Sequence, residues 1–372
     1  VLDCASDGTE RELEALRRRV VCSSRLAGRE EEALGVFGRL LERDPFEPAA
    51  FRAMLQLFER ERAFDRARLT RQALEAMNCE VERTDVRTKT TPARAFDDET
   101  IERHLLPERL GAETFHALRR VVPLADKVFT DELAGEENLD GRALEDEGMH
   151  SALGDAMAAF DTSRYYPEVG EEGPPSPRVT GSGAPEIWFP RRLVADLESV
   201  EHHFVAGYLA ALGWSGCASL IELEGRSLFH LLEGTWLRQR GEGFSGNPAD
   251  ESQRISEAIG SPFLAVARRR AARAIEPAVE ELAGVRAQIW PDALEEFAAR
   301  SGLVLCGDLS AAIRCLLLFR GWDLEFGRAE TREQIGRMDL VGRLIRFAFS
   351  EDYLEARYAV GLSGRPSEIE LY

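Results

Sequence analysis

A helical pattern that repeats every 34 residues constrains the first 80 positions of the chain. Ala33 recurs as Ala67, Val20 as Met54 and Val21 as Leu55. Phe37 and Pro45 close the first unit, and Phe51, Leu55, Phe58, Phe64 and Ala67 pattern the second. Gly28, before "REEEAL", and Arg62–Ala63, before "FDRARL", mark tight turns inside the two units. Apolar residues at three- and four-residue spacing turn one face of each helix toward a neighbour. A chain with this period forms stacked helical hairpins, each unable to bury its apolar face alone.

Over about residues 12 to 78 the pattern resembles the tetratricopeptide repeat, in which a small residue at the helix crossing lets two backbones approach closely. The resemblance gives Ala33, Phe37, Pro45, Phe51, Leu55, Phe58 and Ala67 repeat-packing roles. Arg17 departs from it, standing where the motif usually carries an aromatic, and Cys79 replaces the terminal proline. Two units fall short of the roughly three that a stable solenoid needs. Either further repeats precede Val1, as in a fragment of a longer protein, or the segment that follows caps the second unit.

The 372 residues leave room for two or three domains. Residues 1–79 form the repeat unit and 80–97 a linker poor in apolar side chains. Residues 98–162 are a helical segment, with Asp97 or Asp98 as a cap and Pro107 as an interruption; within it, 131–150 reads as an acidic loop or short helix. Residues 163–372 form the last domain. It opens on a Pro/Gly-rich stretch, 163–187, with Tyr165, Tyr166 and Trp188 placed to pin it to the core or to line a groove. "EIWFP" (186–190) is the best strand candidate. Helical spacing follows near 191–212, 217–238, 250–282, 291–320 and 331–360. The expected fold is mainly α, with N-terminal helical hairpins and a largely helical α+β domain holding a small sheet.

Acidic residues outnumber basic ones by 66 to 47, a net charge of −19 that disfavours nucleic acid as a partner. Lysine occurs only at Lys89 and Lys127, so the positive charge is almost all guanidinium. The run "ARRRAARA" (267–274) is a local exception and reads as a solvated helix face, or as a contact for an acidic neighbouring domain. The scattered cysteines (Cys4, Cys22, Cys79, Cys217, Cys306, Cys315) form no C-x-x-C pair and read as reduced thiols of a cytoplasmic protein. No apolar run is long enough for a membrane span.

Nucleophile and nucleotide motifs are missing. "GWSGC" (213–217), "GFSGN" (243–247) and "GLSGR" (361–365) lack the closing glycine of a nucleophile elbow. No phosphate-binding glycine loop occurs. The histidines are His104, His116, His150, His202, His203 and His230, and no two share the i, i+4 spacing of a zinc-binding helix. Adjacent His202 and His203 point about 100° apart on a helix, so one is expected partly buried and the other exposed.

The order of the last domain adds a second resemblance. A Pro/Gly-rich segment, the strand-like "PEIWFP", the helix around "SVEHHFVAGYLAAL" (199–212) and a later helix "WPDALEEFAARSGLVLCGDL" follow one another. This order resembles HtpX-like and CAAX-prenyl-protease-like zinc metallopeptidases, and more closely bacterial tetratricopeptide proteins that carry a degenerate copy of that domain. The phrases "SGLVLCGDL" (301–309) and "SEDYLEARYAVGL" (350–362) are similar to ones that recur in the latter group. With Glu201 taken as the acidic position before the motif, the resemblance puts the first ligand at Tyr208, the general base at Leu209 and the second ligand at Leu212. The third ligand falls on Glu295 and its acidic partner on Ala299.

Of these positions only Glu295 keeps its chemistry, and a lone carboxylate does not hold zinc or activate water. Val200, Phe204, Tyr208, Ala211 and Leu212 instead form an apolar stripe, facing Leu294, Phe297, Ala298 and Leu305 of the partner helix. The expectation is a non-catalytic interaction or scaffold protein with no cofactor, binding a protein or peptide partner that its acidic surface biases toward basic chemistry. The alternative is a metal-dependent hydrolase with a non-standard site built from His202, His203, Glu201 and Glu295.

Overall fold

A computed structural model describes residues 2–26, 28–77, 79, 89–128, 141–171, 173–180, 184–221, 223–244, 248–284, 289–322 and 335–364. The hairpins are α1 (Leu2–Ser24) with α2 (Glu30–Arg43), and α3 (Pro48–Arg60) with α4 (Phe64–Ala76). Both turns take left-handed backbone at the expected places, Gly28 at φ +77° and Arg62 at φ +59°. Ala33, Phe37, Phe51, Phe58 and Ala67 are buried and Leu55 is half-buried. Pro45 lies in the turn between α2 and α3. Arg17 lies 2.7 Å from Glu47 and 3.1 Å from Asp44, so an ionic tie to that turn stands where the repeat motif has an aromatic.

After the hairpins come α5 (Asp98–Thr100), which continues into a π-helical turn (Ile101–Leu105), and α6 (Ala112–Val128). Then follow β1 (Gly141–Ala143), α7 (Glu147–Ala159), β2 (Tyr166–Gly170), β3 (Arg178–Thr180) and β4 (Glu186–Pro190). The helical remainder is α8 (Arg191–Asp196), α9 (Ser199–Ser215), α10 (Ala218–Ile221), α11 (Gly225–Arg240), α12 (Asp250–Ala258), α13 (Ala265–Gly284), α14 (Trp290–Cys306), α15 (Leu309–Phe319), α16 (Asp339–Ala348) and α17 (Glu351–Ala359). The described chain is mainly α with one small sheet. Residues 80–88, half of the expected linker, and 131–140 of the acidic stretch lie outside the described residues.

The rest of the linker wraps the C-terminal end of the fold. Ala93 N–H donates to the Val360 carbonyl (2.9 Å) and Phe96 N–H to that of Ala159 (2.8 Å). Asp97 caps α5 by accepting from the Thr100 N–H at 2.8 Å. Asp146 does the same for α7 through Met149 N–H at 2.7 Å, so 141–150 is a strand and a capped helix start rather than a loop.

The sheet has the order β1-β2-β4-β3. β2 and β4 are parallel, with Glu168 opposite Trp188, and the flanking pairs are antiparallel. "EIWFP" is therefore an interior strand. Trp188 is buried across the neighbouring strand at Gly170, where a Cβ would collide with its indole, while Ile187 and Phe189 on either side of it join the apolar core. Tyr166 stays exposed, and Tyr165 is half-buried.

One apolar cluster runs from the hairpins through to Leu362. Phe349, just after α16, meets the rings of Phe37 and Phe51, both at 5.5 Å between centroids. Helix α4 packs on α15, and α2 on α16. The second hairpin is thus covered by C-terminal helices.

Candidate functional site

Helix α9 is the centre of the last domain, packed between α7, α14 and α15. Its start carries a reciprocal capping box between Glu198 and Glu201, with Glu201 Oε2 accepting from the Glu198 N–H at 2.7 Å. Its end turns at Gly216, φ +66°. Between them almost every side chain from Glu201 to Leu212 is buried. The expected single apolar stripe is too narrow, because a helix with neighbours on several sides is apolar all round.

Antiparallel α14 lies against α9 at two glycines. A Cβ on Gly207 would sit 3.0 Å from the Gly302 Cα, and one on Gly302 would sit 2.7 Å from the Phe204 carbonyl oxygen. Backbone meets backbone here, leaving no room for an added methyl group.

The positions singled out by the peptidase resemblance lie along this interface. Tyr208, Leu209 and Leu212 are all buried, and the Tyr208 ring packs edge-on to Phe319 at 5.3 Å. Ala299 is buried as well. Glu295 lies next to the same end of α15, and Arg320 holds both its oxygens at 2.9 and 3.1 Å. Burial raises the Glu295 carboxyl above its ordinary range, against the pull of Arg320. Tyr208 thus packs on Phe319, the last residue of α15, and Glu295 is held by the next residue, Arg320.

The alternative ligand set is spread out. His202 is buried toward α7, its ring beside Gly148, and burial lowers its pKa. His203 is partly exposed and its Nδ1–H donates to the Ser199 carbonyl at 2.9 Å, so one histidine is inside and one is near the surface. Glu201 is buried with Arg314 at 3.0 Å, and burial raises its pKa. Among the described residues no group of three or more His, Cys, Asp or Glu side chains is placed to hold a metal ion.

The serine motifs end helices. Ser215 Oγ donates to the Leu212 carbonyl at 2.8 Å just before Gly216, and Gly361 terminates α17 at φ +73°. Residues 245–247 of "GFSGN" lie outside the described residues. Cys217 and Cys306 are buried, and desolvation pushes both thiols up to about 12.

The two phrases of the second resemblance meet in one junction. Gly307 ends α14 at φ +65° and Asp308 starts α15 by accepting from the Ala311 N–H at 2.9 Å. The buried Arg357 guanidinium donates to the Val304 and Leu362 carbonyls and, at 3.1 Å, to that of Lys89. Arg68 from α4 donates to the Gly307 carbonyl, and Gln72 Nε2 reaches Asp308 at 2.9 Å. These residues answer the open carbonyls that α14 leaves at its C-terminus.

A hub that sequence reasoning passed over is Glu296, only 2 % exposed. Arg300 lies 2.7 Å from Oε1, while Arg109 and Arg343 each lie 2.8 Å from Oε2. The i, i+4 spacing of Glu296 and Arg300 was a signal for one of these contacts; nothing local marked the other two.

Comparison with protein-family models, curated proteins and solved structures yields no match for this chain.

Proposed function

We propose that the chain is a non-catalytic docking protein, in which repeat-type hairpins are joined to a largely helical domain that resembles a degenerate zinc metallopeptidase. The observation that carries this reading is the close packing of α9 on α14, where Gly207 meets Gly302 and Tyr208, Leu209 and Leu212 are core residues. A hydrolytic metal site keeps an open coordination position and a water; the corresponding positions here carry packed apolar side chains and a carboxylate tied to Arg320. Helical repeats supply binding surface without a cofactor.

The test is retention of a protein partner by the full purified chain from extract of its own source cells at low salt. The expected result is a partner held intact and released as salt rises. Cleavage of the retained protein, abolished by Glu295→Gln, contradicts the reading and favours a hydrolase.

A further inference from the structure

The exposed face of α13 is built unlike the rest of this acidic chain. Phe263, on the 3-10 turn that leads into the helix, is 97 % exposed, and Val266 one turn later is 53 % exposed. Arg269, Arg270 and Arg273 continue the face in the open. None of these three has an ion-pair partner among the described residues, although the chain carries 66 acidic side chains. The opposite face is fixed by burial of Ala271, Ala272, Ile275 and Ala278. Arg268 turns back to donate to the Ser261 carbonyl at 3.0 Å, holding the turn that presents Phe263.

Phe263, Val266, Arg270 and Arg273 follow three- and four-residue spacing over about 15 Å of helix. That is the seam a second helix reads when it lies alongside. The first half of the seam is apolar and the second half cationic. A bilayer takes apolar residues along the whole seam with basic ones on its flanks, whereas here Arg270 and Arg273 occupy the seam itself.

We infer that this face docks an acidic amphipathic helix of a partner protein, whose apolar side chains cover Phe263 and Val266 and whose carboxylates pair with Arg269, Arg270 and Arg273. Guanidinium–carboxylate pairs supply orientation, and the buried phenyl ring supplies an anchor. The inference rests on the docking reading above and adds the surface and the chemistry of its partner.

The full chain is titrated with two helical peptides of equal length that share a leucine-rich half. One carries glutamates in its other half and the second carries lysines; vesicles of phosphatidylcholine and phosphatidylserine form a third arm. The expected result is saturable binding of the glutamate peptide alone, weakened about tenfold or more by Phe263→Ser and by R269E/R270E/R273E, and weakened by salt. All four substitutions are on the surface, so unchanged thermal unfolding confirms that the variants remain folded. Equal binding of both peptides, insensitivity to the substitutions, no binding, or binding to vesicles alone overturns the inference. If wild type and the triple variant retain one cellular partner equally, this surface fails while the docking reading stands.

Discussion

Gln72 in the second helical hairpin and Asp308 at the start of α15, 236 positions apart, share a hydrogen bond of 2.9 Å. The same glutamine amide accepts from the Leu309 N–H at 3.1 Å. One side chain therefore ties the hairpins to the helix turn that follows α14. Gln72→Ala leaves the Leu309 N–H without its partner in a buried site and is expected to cost about 1–3 kcal/mol. Urea unfolding followed by Trp fluorescence checks it. Because the core is continuous, Trp fluorescence and far-UV circular dichroism should report one coincident transition; separate transitions would show that hairpins and domain unfold independently.

Gly302→Ala and Gly38→Ala separate contact from propensity. The first puts a methyl group against the Phe204 carbonyl and is expected to destabilise by roughly 1–3 kcal/mol. The second, on an exposed position of α2 with nothing within 4 Å of the new Cβ, should stabilise by roughly 0.5–1 kcal/mol. A neutral Gly302→Ala measured by urea unfolding would mean that α9 and α14 are further apart than described.

Glu296→Ala removes the carboxylate that Arg109, Arg300 and Arg343 share. Removing the buried partner of three guanidiniums should cost about 3–5 kcal/mol, although Asp292 still faces Arg109. Glu296→Gln should recover part of that loss, through its remaining acceptor oxygen. Thermal melts of the two variants decide the order.

Burial raises the Glu201 pKa, so the folded state holds this proton more tightly than the unfolded state. Its contribution to stability is full below the ordinary carboxylate range, about pH 4, and is lost as pH rises through the raised folded value. Glu201→Gln stays neutral at all pH values while keeping an acceptor for the Glu198 N–H. The difference between variant and wild type should therefore move in the variant's favour from acidic to neutral pH. Melting both proteins across that range tests it, and a difference independent of pH contradicts it.

Thiol labelling reads burial directly. Cys217 and Cys306, pushed up to about 12, and Cys315, raised well above the ordinary thiol range by burial and then by neighbouring Glu201, should resist alkylation in the folded protein at mildly alkaline pH. Exposed Cys22 should react quickly. Peptide mapping of the labelled sites before and after denaturation distinguishes the groups.

Much of the helical framework was legible because period and caps are local. Gly28, Arg62 and Asp97 act where the sequence placed a turn or a cap, and "EIWFP" is a strand. The partners of buried polar groups were not legible. Arg68 and Arg357 look like surface residues by type, and what buries them is the carbonyls of Gly307 and Val304, which only the tertiary fold brings near. The parallel pairing of β2 with β4 likewise is a tertiary relation that no local pattern marks. For α9 the apolar residues were visible, but the number of neighbours around it was not.

On the proposed reading the α9–α14 interface is a packed core rather than a metal centre. Elemental analysis of zinc in protein purified without chelator or metal-affinity steps tests it most directly, paired with a melt in the presence of chelator. Zinc far below one per chain and a melting temperature that chelator leaves unchanged are the expected results. Stoichiometric zinc that is lost in Glu295→Ala would contradict it.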